Sequence, residues 1–168
     1  KKLKISHPKL HGCHELFRPF IRGYIFFFEM KYEYPSGSFY EGELVDGMFK
    51  ETGKFCYNNG DIYEGEFNED KFEGYGVFYF KSGCIYRGFF SNDMFHGIGT
   101  FVFQDGSIEK GKFYNDKRVG KFFQMDTKVN SYFEIIYQND IAIKTTCIEE
   151  ACIPKEKNPL HDTFAIKS

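Results

Sequence analysis

Apolar and polar positions alternate along most of this chain, in short runs that return every 23 residues. In Tyr63-Glu64-Gly65-Glu66-Phe67 every second residue is aromatic or glycine. The same beat runs through Tyr40-Glu41-Gly42-Glu43-Leu44, Tyr86-Arg87-Gly88-Phe89-Phe90 and Glu109-Lys110-Gly111-Lys112-Phe113, and Tyr132-Phe133-Glu134-Ile135-Ile136 continues it in decayed form. A second run, Gly76-Val77-Phe78-Tyr79-Phe80 or Gly99-Thr100-Phe101-Val102-Phe103, completes a unit. Alternation of period two predicts strands, because successive side chains point to opposite faces. Asn59-Gly60, Ser82-Gly83 and Asp105-Gly106 stand between units and supply the positive φ of a tight hairpin turn. Asp46-Gly47, Asp70-Lys71, Asp93-Met94 and Asp116-Lys117 are expected to make the turn within each unit. Each unit is thus a β-hairpin, and fixed self-similarity predicts a stack in which every unit buries its apolar face only against its neighbours.

The expected fold is all-β: an elongated, twisted, single-layer antiparallel sheet of stacked 23-residue hairpins, with short capping segments at both ends. Two strands per unit advance such a sheet by about 10 Å. Gly42, Gly65, Gly88 and Gly111 remove a side chain between two inward aromatics, so rings can lie against bare backbone. Gly74-x-Gly76 and Gly97-x-Gly99 are read as repeating that device where the second strand begins.

Composition sharpens this picture. The 168 residues suit about one domain. Twenty-two Phe and 12 Tyr without Trp favour pleated surfaces, and 17 Gly against 5 Pro favours tight turns over disorder. A net charge of −2 makes no demand for nucleic acid and leaves an acidic partner open. The odd count of five cysteines (Cys13, Cys56, Cys84, Cys147, Cys152), with no visible signal peptide, reads as reduced thiols in the cytosol, although the chain begins at Lys1 and its true start lies open. The longest apolar run near the N-terminus, Tyr24 to Phe28, is far short of the ~20 residues of a membrane-spanning helix.

Tyr-Glu-Gly-Glu-Phe, followed by Gly-x-Gly and ending in an aromatic before Asp-Gly, resembles the MORN repeat (membrane occupation and recognition nexus). Tyr63 to Ile85 and Tyr86 to Ile108 match that pattern almost throughout. Tyr40 to Ile62 departs at Glu51, where the pattern has glycine, and the unit from Glu109 has Phe122 in place of its second glycine. Tyr34 to Phe39 reads as the tail of an earlier unit, so the resemblance covers roughly residues 32–140. It implies a sheet with a groove, used for protein–protein contact, self-association and scaffolding, and short members similar to this one belong to cilia, flagella or sperm. The resemblance also implies phosphoinositide binding as an alternative, and some members join the repeats to a lipid kinase or lysine methyltransferase domain. Residues 141–168 are too few for such a domain.

Candidate chemistry is sparse. His7, His11, Cys13 and His14 are near one another but fit no zinc spacing, so no metal and no cofactor are expected. Cys147 and Cys152 flank Glu149-Glu150 with no basic activator, which argues against a nucleophile and, with it, against an enzyme. Glu41, Glu43, Glu64 and Glu66 recur with the repeat and read as a solvated column opposite the rings. Two sets stand out, an apolar stripe on that outward face and a basic end of the array. Ile62, Val77, Tyr79, Ile85, Phe89, Val102 and Ile108 form an apolar stripe, the candidate partner-binding surface, to be covered by a protein, a second copy or the chain's own ends. Lys110, Lys112, Lys117, Arg118 and Lys121 form a basic end, the candidate lipid-binding set.

Three regions follow. Residues 1–31 are a basic and aromatic segment, expected to cap the sheet's first edge from about Phe17; residues 32–140 are the hairpin array. Residues 141–168 are a tail with a possible capping helix opening at Asn158-Pro159 and facing inward through Leu160 and Phe164. The expected function is a non-enzymatic scaffold or adaptor for protein partners, cytoskeletal or axonemal, in the cytoplasm or at a cilium or flagellum. Its rivals are a peripheral module for acidic phospholipids and an accessory repeat domain of a larger enzyme.

Overall fold

The computed structural model describes residues 16–22, 25–45 and 48–148. Among them every regular element is a strand: β1 Leu16–Arg22, β2 Ile25–Glu33, β3 Phe39–Val45, β4 Met48–Cys56, β5 Ile62–Asn68, β6 Lys71–Tyr79, β7 Ile85–Ser91, β8 Met94–Val102, β9 Ile108–Tyr114, β10 Lys117–Asp126, β11 Ser131–Gln138 and β12 Ile141–Ile148. They form one sheet whose order is the order of the chain. The expected all-β sheet of stacked hairpins is what the chain builds. At one end β1 pairs with β2 from Leu16 opposite Lys31 to Arg22 opposite Ile25, and at the other β12 pairs with β11. The helix expected from Asn158-Pro159, the Asp46-Gly47 turn and the His7/His11/Cys13/His14 group lie outside the described residues.

Two compact units divide the chain. The first comprises residues up to Lys81 together with Phe89–Met94, the second Ser82–Gly88 together with the residues from Phe95. In each, the core is one face of the sheet, built from rings that pack on glycine backbone.

In unit one Tyr40 stacks on Phe49 and Tyr63 on Phe72, each with ring centroids 3.7 Å apart at 13°. Tyr40, Tyr63, Phe72 and Phe78 have no accessible surface. The Tyr63 hydroxyl donates to the Glu66 carbonyl at 2.8 Å, and the Tyr40 hydroxyl donates to the Glu43 carbonyl at 3.0 Å. Burial, aided by nearby carboxylates, holds both phenols well above the usual tyrosine range. Gly65 faces Gly76 across the hairpin, and a Cβ on Gly65 would stand 2.6 Å from the Gly76 Cα, with the Tyr63 ring over both. Only bare backbone admits the ring.

Unit two repeats the arrangement once and then changes it. Tyr86 stacks on Phe95 at 3.8 Å. In β9 and β10 the tyrosine position holds Glu109, its stacking partner is Arg118, and the second glycine is Phe122. The Phe122 ring lies over Gly111 and meets Phe113 edge-on at 5.2 Å and 84°. This matches the contact that Tyr63 makes with Phe67, at 5.1 Å and 86°. The ring thus reaches the same place from the neighbouring strand.

The turns differ from the sequence expectation in detail. Between repeats, Tyr57 N–H donates to the Asp61 carbonyl at 2.9 Å and Gly60 N–H to the Tyr57 carbonyl at 3.0 Å. That is a three-residue loop in which Gly60 alone has positive φ, +94°, and the loops at Tyr34–Ser38 and Phe103–Ser107 repeat it. Within repeats, the positive-φ pairs are Glu69-Asp70, Asn92-Asp93, Asn115-Asp116 and Asn139-Asp140, so the turns expected at Asp70-Lys71, Asp93-Met94 and Asp116-Lys117 fall one residue earlier. The shift has a cause: an Asp at the second turn position reaches the previous hairpin. Asp70 Oδ1 accepts from Phe49 N–H and Asp93 Oδ1 from Phe72 N–H, both at 2.8 Å, while each Asp N–H donates back to the same residue's carbonyl. Asp116 clamps Phe95 in the same way in unit two.

Gly74 and Gly97 also differ from expectation. Both take positive φ, +61° and +63°, as does Gly120 at +73°; Gly74 and Gly120 sit in bulges, and a Cβ on Gly74 would meet the Glu66 carboxylate rather than a ring. In the hairpin of β3 and β4 Glu51 occupies this place at φ +56°, a conformation that costs any residue with a Cβ about 1 kcal/mol or more.

Candidate functional site

The face opposite the rings carries the candidate binding residues. In unit one, Ile62 pairs with Tyr79, Glu64 with Val77 and Cys56 with Ile62. Those pairings put Ile62, Val77 and Tyr79 on one face, and all three are half-buried. Phe89 is 50% exposed and meets Tyr75, also 50% exposed, edge-on at 5.7 Å. Strand parity places Tyr75 on this face, yet the sequence stripe omits it. The most accessible aromatic contact in unit one is therefore Tyr75 with Phe89, and the rest of the stripe is packed between neighbouring strands.

In unit two, Val102 pairs with Ile108 and Ile108 with Met125. Ile108 is only 4% exposed, which withdraws it from any open stripe, while Ile85 and Val102 are half-buried. Ile98, outside the sequence stripe, is 53% exposed and lies opposite Lys112. The position 23 residues earlier is Tyr75, so the repeat itself marks both as outward sites.

The basic set thins out. Lys112 and Lys117 are exposed, and Lys112 pairs with Val119 at the start of the strand that Lys117 opens. Lys121 is tied to Glu134 at 2.7 Å. Arg118 belongs to the ring face. Its guanidinium donates to Glu109 Oε2 at 3.1 Å, to Asp140 Oδ1 at 2.6 Å and to the Tyr137 hydroxyl at 3.3 Å, and lies 4.5 Å from the Tyr137 ring centre. Glu109 is 2% exposed, so the pair fills the core where the other hairpins stack a tyrosine on a phenylalanine. The expected end of Lys110, Lys112, Lys117 and Arg118 therefore loses Arg118, because a buried carboxylate needs its charge. Burial, with Glu109 beside it, pushes the Tyr137 phenol up to about 12.

The outward carboxylates are structural partners as well as solvated groups. Lys54 and Glu64 pair at 2.9 Å, and Glu66 Oε1 accepts from Tyr75 N–H at 3.0 Å beside the Gly74 bulge. Among the described residues Cys56, Cys84 and Cys147 are free thiols, and burial raises the Cys56 thiol above its usual range. Among the described residues no three His, Cys, Asp or Glu side chains gather as a metal site. Cys152 and Glu149-Glu150 lie outside them.

Residues 40–62, 63–85 and 86–108 each match the family model described as MORN repeat. No curated protein matches the chain. Among solved structures, the chain is similar to the SAS-4 (dCPAP) TCP domain in complex with a proline-rich motif of Ana2 (dSTIL) from Drosophila melanogaster. The two are 16% identical with a TM-score of 0.48, over 80% of this chain and 71% of that one.

Proposed function

Residues 40–108 of this chain are three MORN repeats in tandem, and we propose on that premise that the chain is a non-enzymatic scaffold that binds protein partners through the sheet face opposite its rings. Such repeats are consistent with a protein- or membrane-interaction module. One observation carries the choice of face: Tyr75 and Phe89 stand half exposed in mutual contact, beside Val77. Aromatic side chains of this kind anchor interfaces because they bury large area with few rotatable bonds. The setting proposed is a cytoskeletal, ciliary or sperm assembly in the cytoplasm.

The test replaces Val77 and Phe89 by Asp and compares a thermal melt with capture of partners from source cells. Lost capture with an intact melt supports this face. A lowered melt with unchanged capture rejects it.

Lys112 and Lys117, both exposed, support a second reading, a peripheral module for acidic phospholipids. Flotation with anionic vesicles at low salt tests it, since exposed charges are screened beyond about 10 Å at 0.1 M. Wild type that ignores such vesicles removes this reading. A transcript that continues into a catalytic domain would instead make the array an accessory part of an enzyme.

A further inference from the structure

β12 ends the strand order, with β11 on one side and, among the described residues, no strand on the other. Alternate residues of such a strand turn N–H and C=O away from the one neighbour, leaving a row of donors and acceptors unpaired in the sheet. Every residue from Ile141 to Cys147 is exposed, Ile141 at 67% and Ile143 at 60%. Ile141, Ile143, Thr145, Thr146 and Ile148 are β-branched, which suits pairing on either side. The other edge differs. β1 contains Pro19, which has no N–H to offer, together with Arg18 and Arg22, and proline and charge are the usual guards of an edge. β12 has no proline, and its single charge is Lys144.

Lys144 decides which strand fits. It pairs with Ile136, and the one carboxylate of β11, Glu134, is held by Lys121 at 2.7 Å. The open edge therefore presents an exposed cation with no acid opposite it. We propose that β12 receives an extended segment of a partner protein as a further strand, with apolar residues in alternation and a carboxylate set against Lys144. A row of backbone groups takes a strand in preference to a helix, because only extended chain offers donors and acceptors at the same interval. Neither edge of a second copy fits, since β1 and β12 hold no Asp or Glu and would bring only cations to Lys144. This surface is separate from the one proposed above: β12 belongs to unit two, Val77 and Phe89 to unit one.

The probe is a fluorescein-labelled short peptide of alternating valine and threonine with one central glutamate. Anisotropy with the full chain is expected to show saturable binding, weakened about two- to fivefold when lysine replaces the glutamate. Lys144→Glu is expected to reverse that preference. Amide exchange locates the site: alternate β12 amides exchange freely in the chain alone and slow when the peptide is added. Adjacent residues of a strand turn their N–H groups opposite ways, so of Thr145→Pro and Thr146→Pro one removes an edge donor and the other a bond to β11. The variant with the intact melt is the edge variant, and it is expected to lose about tenfold in peptide binding. No binding by the wild type, binding indifferent to the edge variant, or no charge preference would overturn the proposal. So would β12 amides that are all protected in the free single chain, because its own residues then cover the edge, or dimers in sedimentation that the edge variant dissolves. Val77→Asp/Phe89→Asp is expected to leave peptide binding unchanged, which keeps this proposal and the scaffold face separately testable; lost peptide binding in that folded variant would overturn the edge site.

Discussion

The hairpin of β5 and β6 and the hairpin of β9 and β10 solve one packing problem with different residues. In the first, Tyr63 lies on Phe72 over Gly65 and Gly76. In the second, Phe122 covers Gly111 from the opposite strand, while Glu109 and Arg118 fill the stacking positions with an ion pair whose carboxylate is buried. What the two share is a ring over bare backbone, meeting the next phenylalanine edge-on at 5.1 and 5.2 Å. The repeat therefore keeps a filled volume, and the strand that supplies the ring is free to change. A residue lost from the pattern is compensated within the same hairpin.

The largest blow to this comparison comes from filling the space the ring needs. A Cβ at Gly88 would lie 2.6 Å from the Gly99 Cα and 2.7 Å from the Tyr86 hydroxyl. Gly88→Val is expected to cost about 4 kcal/mol or more, since backbone cannot step aside as a side chain can. An unchanged denaturant midpoint would reject the ring-over-backbone account.

Emptying the volume in the hairpin of β9 and β10 comes next. Phe122→Ala is expected to cost about 3–4 kcal/mol, the range for a buried ring. The triple change Glu109→Tyr/Arg118→Phe/Phe122→Gly rebuilds the arrangement of the hairpin of β5 and β6 and is expected to recover most of that loss. A triple variant no more stable than Phe122→Ala would show that the two solutions are not interchangeable.

Tyr63→Phe separates the ring from its hydroxyl. At neutral pH it removes one hydrogen bond, a loss of about 1 kcal/mol. The phenol's raised pKa fixes the sign at high pH: its stabilisation is complete below the ordinary value of about 10 and falls as pH rises above it. Stability curves of wild type and Tyr63→Phe should therefore converge above pH 10. Parallel curves would mean that this phenol does not resist ionisation.

The smallest effect sharpens the comparison at the bulge. Glu51 stands at φ +56° where Gly74, Gly97 and Gly120 stand in the other hairpins. Glu51→Gly is expected to raise stability by about 0.5–1 kcal/mol, relief of strain exceeding the added freedom of the unfolded chain. A loss of stability would show that the Glu51 side chain makes contacts worth more than its strain.

Much of this was legible in the chain alone. Period-two alternation and the 23-residue return determined the strands, their order and the ring face, because side-chain direction along a strand follows from backbone geometry. The turn glycines were readable too, since Gly60, Gly83 and Gly106 do take positive φ. The same alternation placed Tyr75 and Ile98 outward, although hydropathy drew attention to Ile108, which is buried.

Tertiary structure decided the rest. It put the inner turns one residue earlier, because an Asp there bonds to a hairpin more than twenty residues away. It gave Gly74 a bulge rather than a ring to accommodate, which depends on register across two strands. It turned Arg118 from an expected surface cation into the partner of Glu109, because a carboxylate buried by its neighbours must be neutralised there. Local pattern sets which face a residue points to; only the packed neighbours set what it meets.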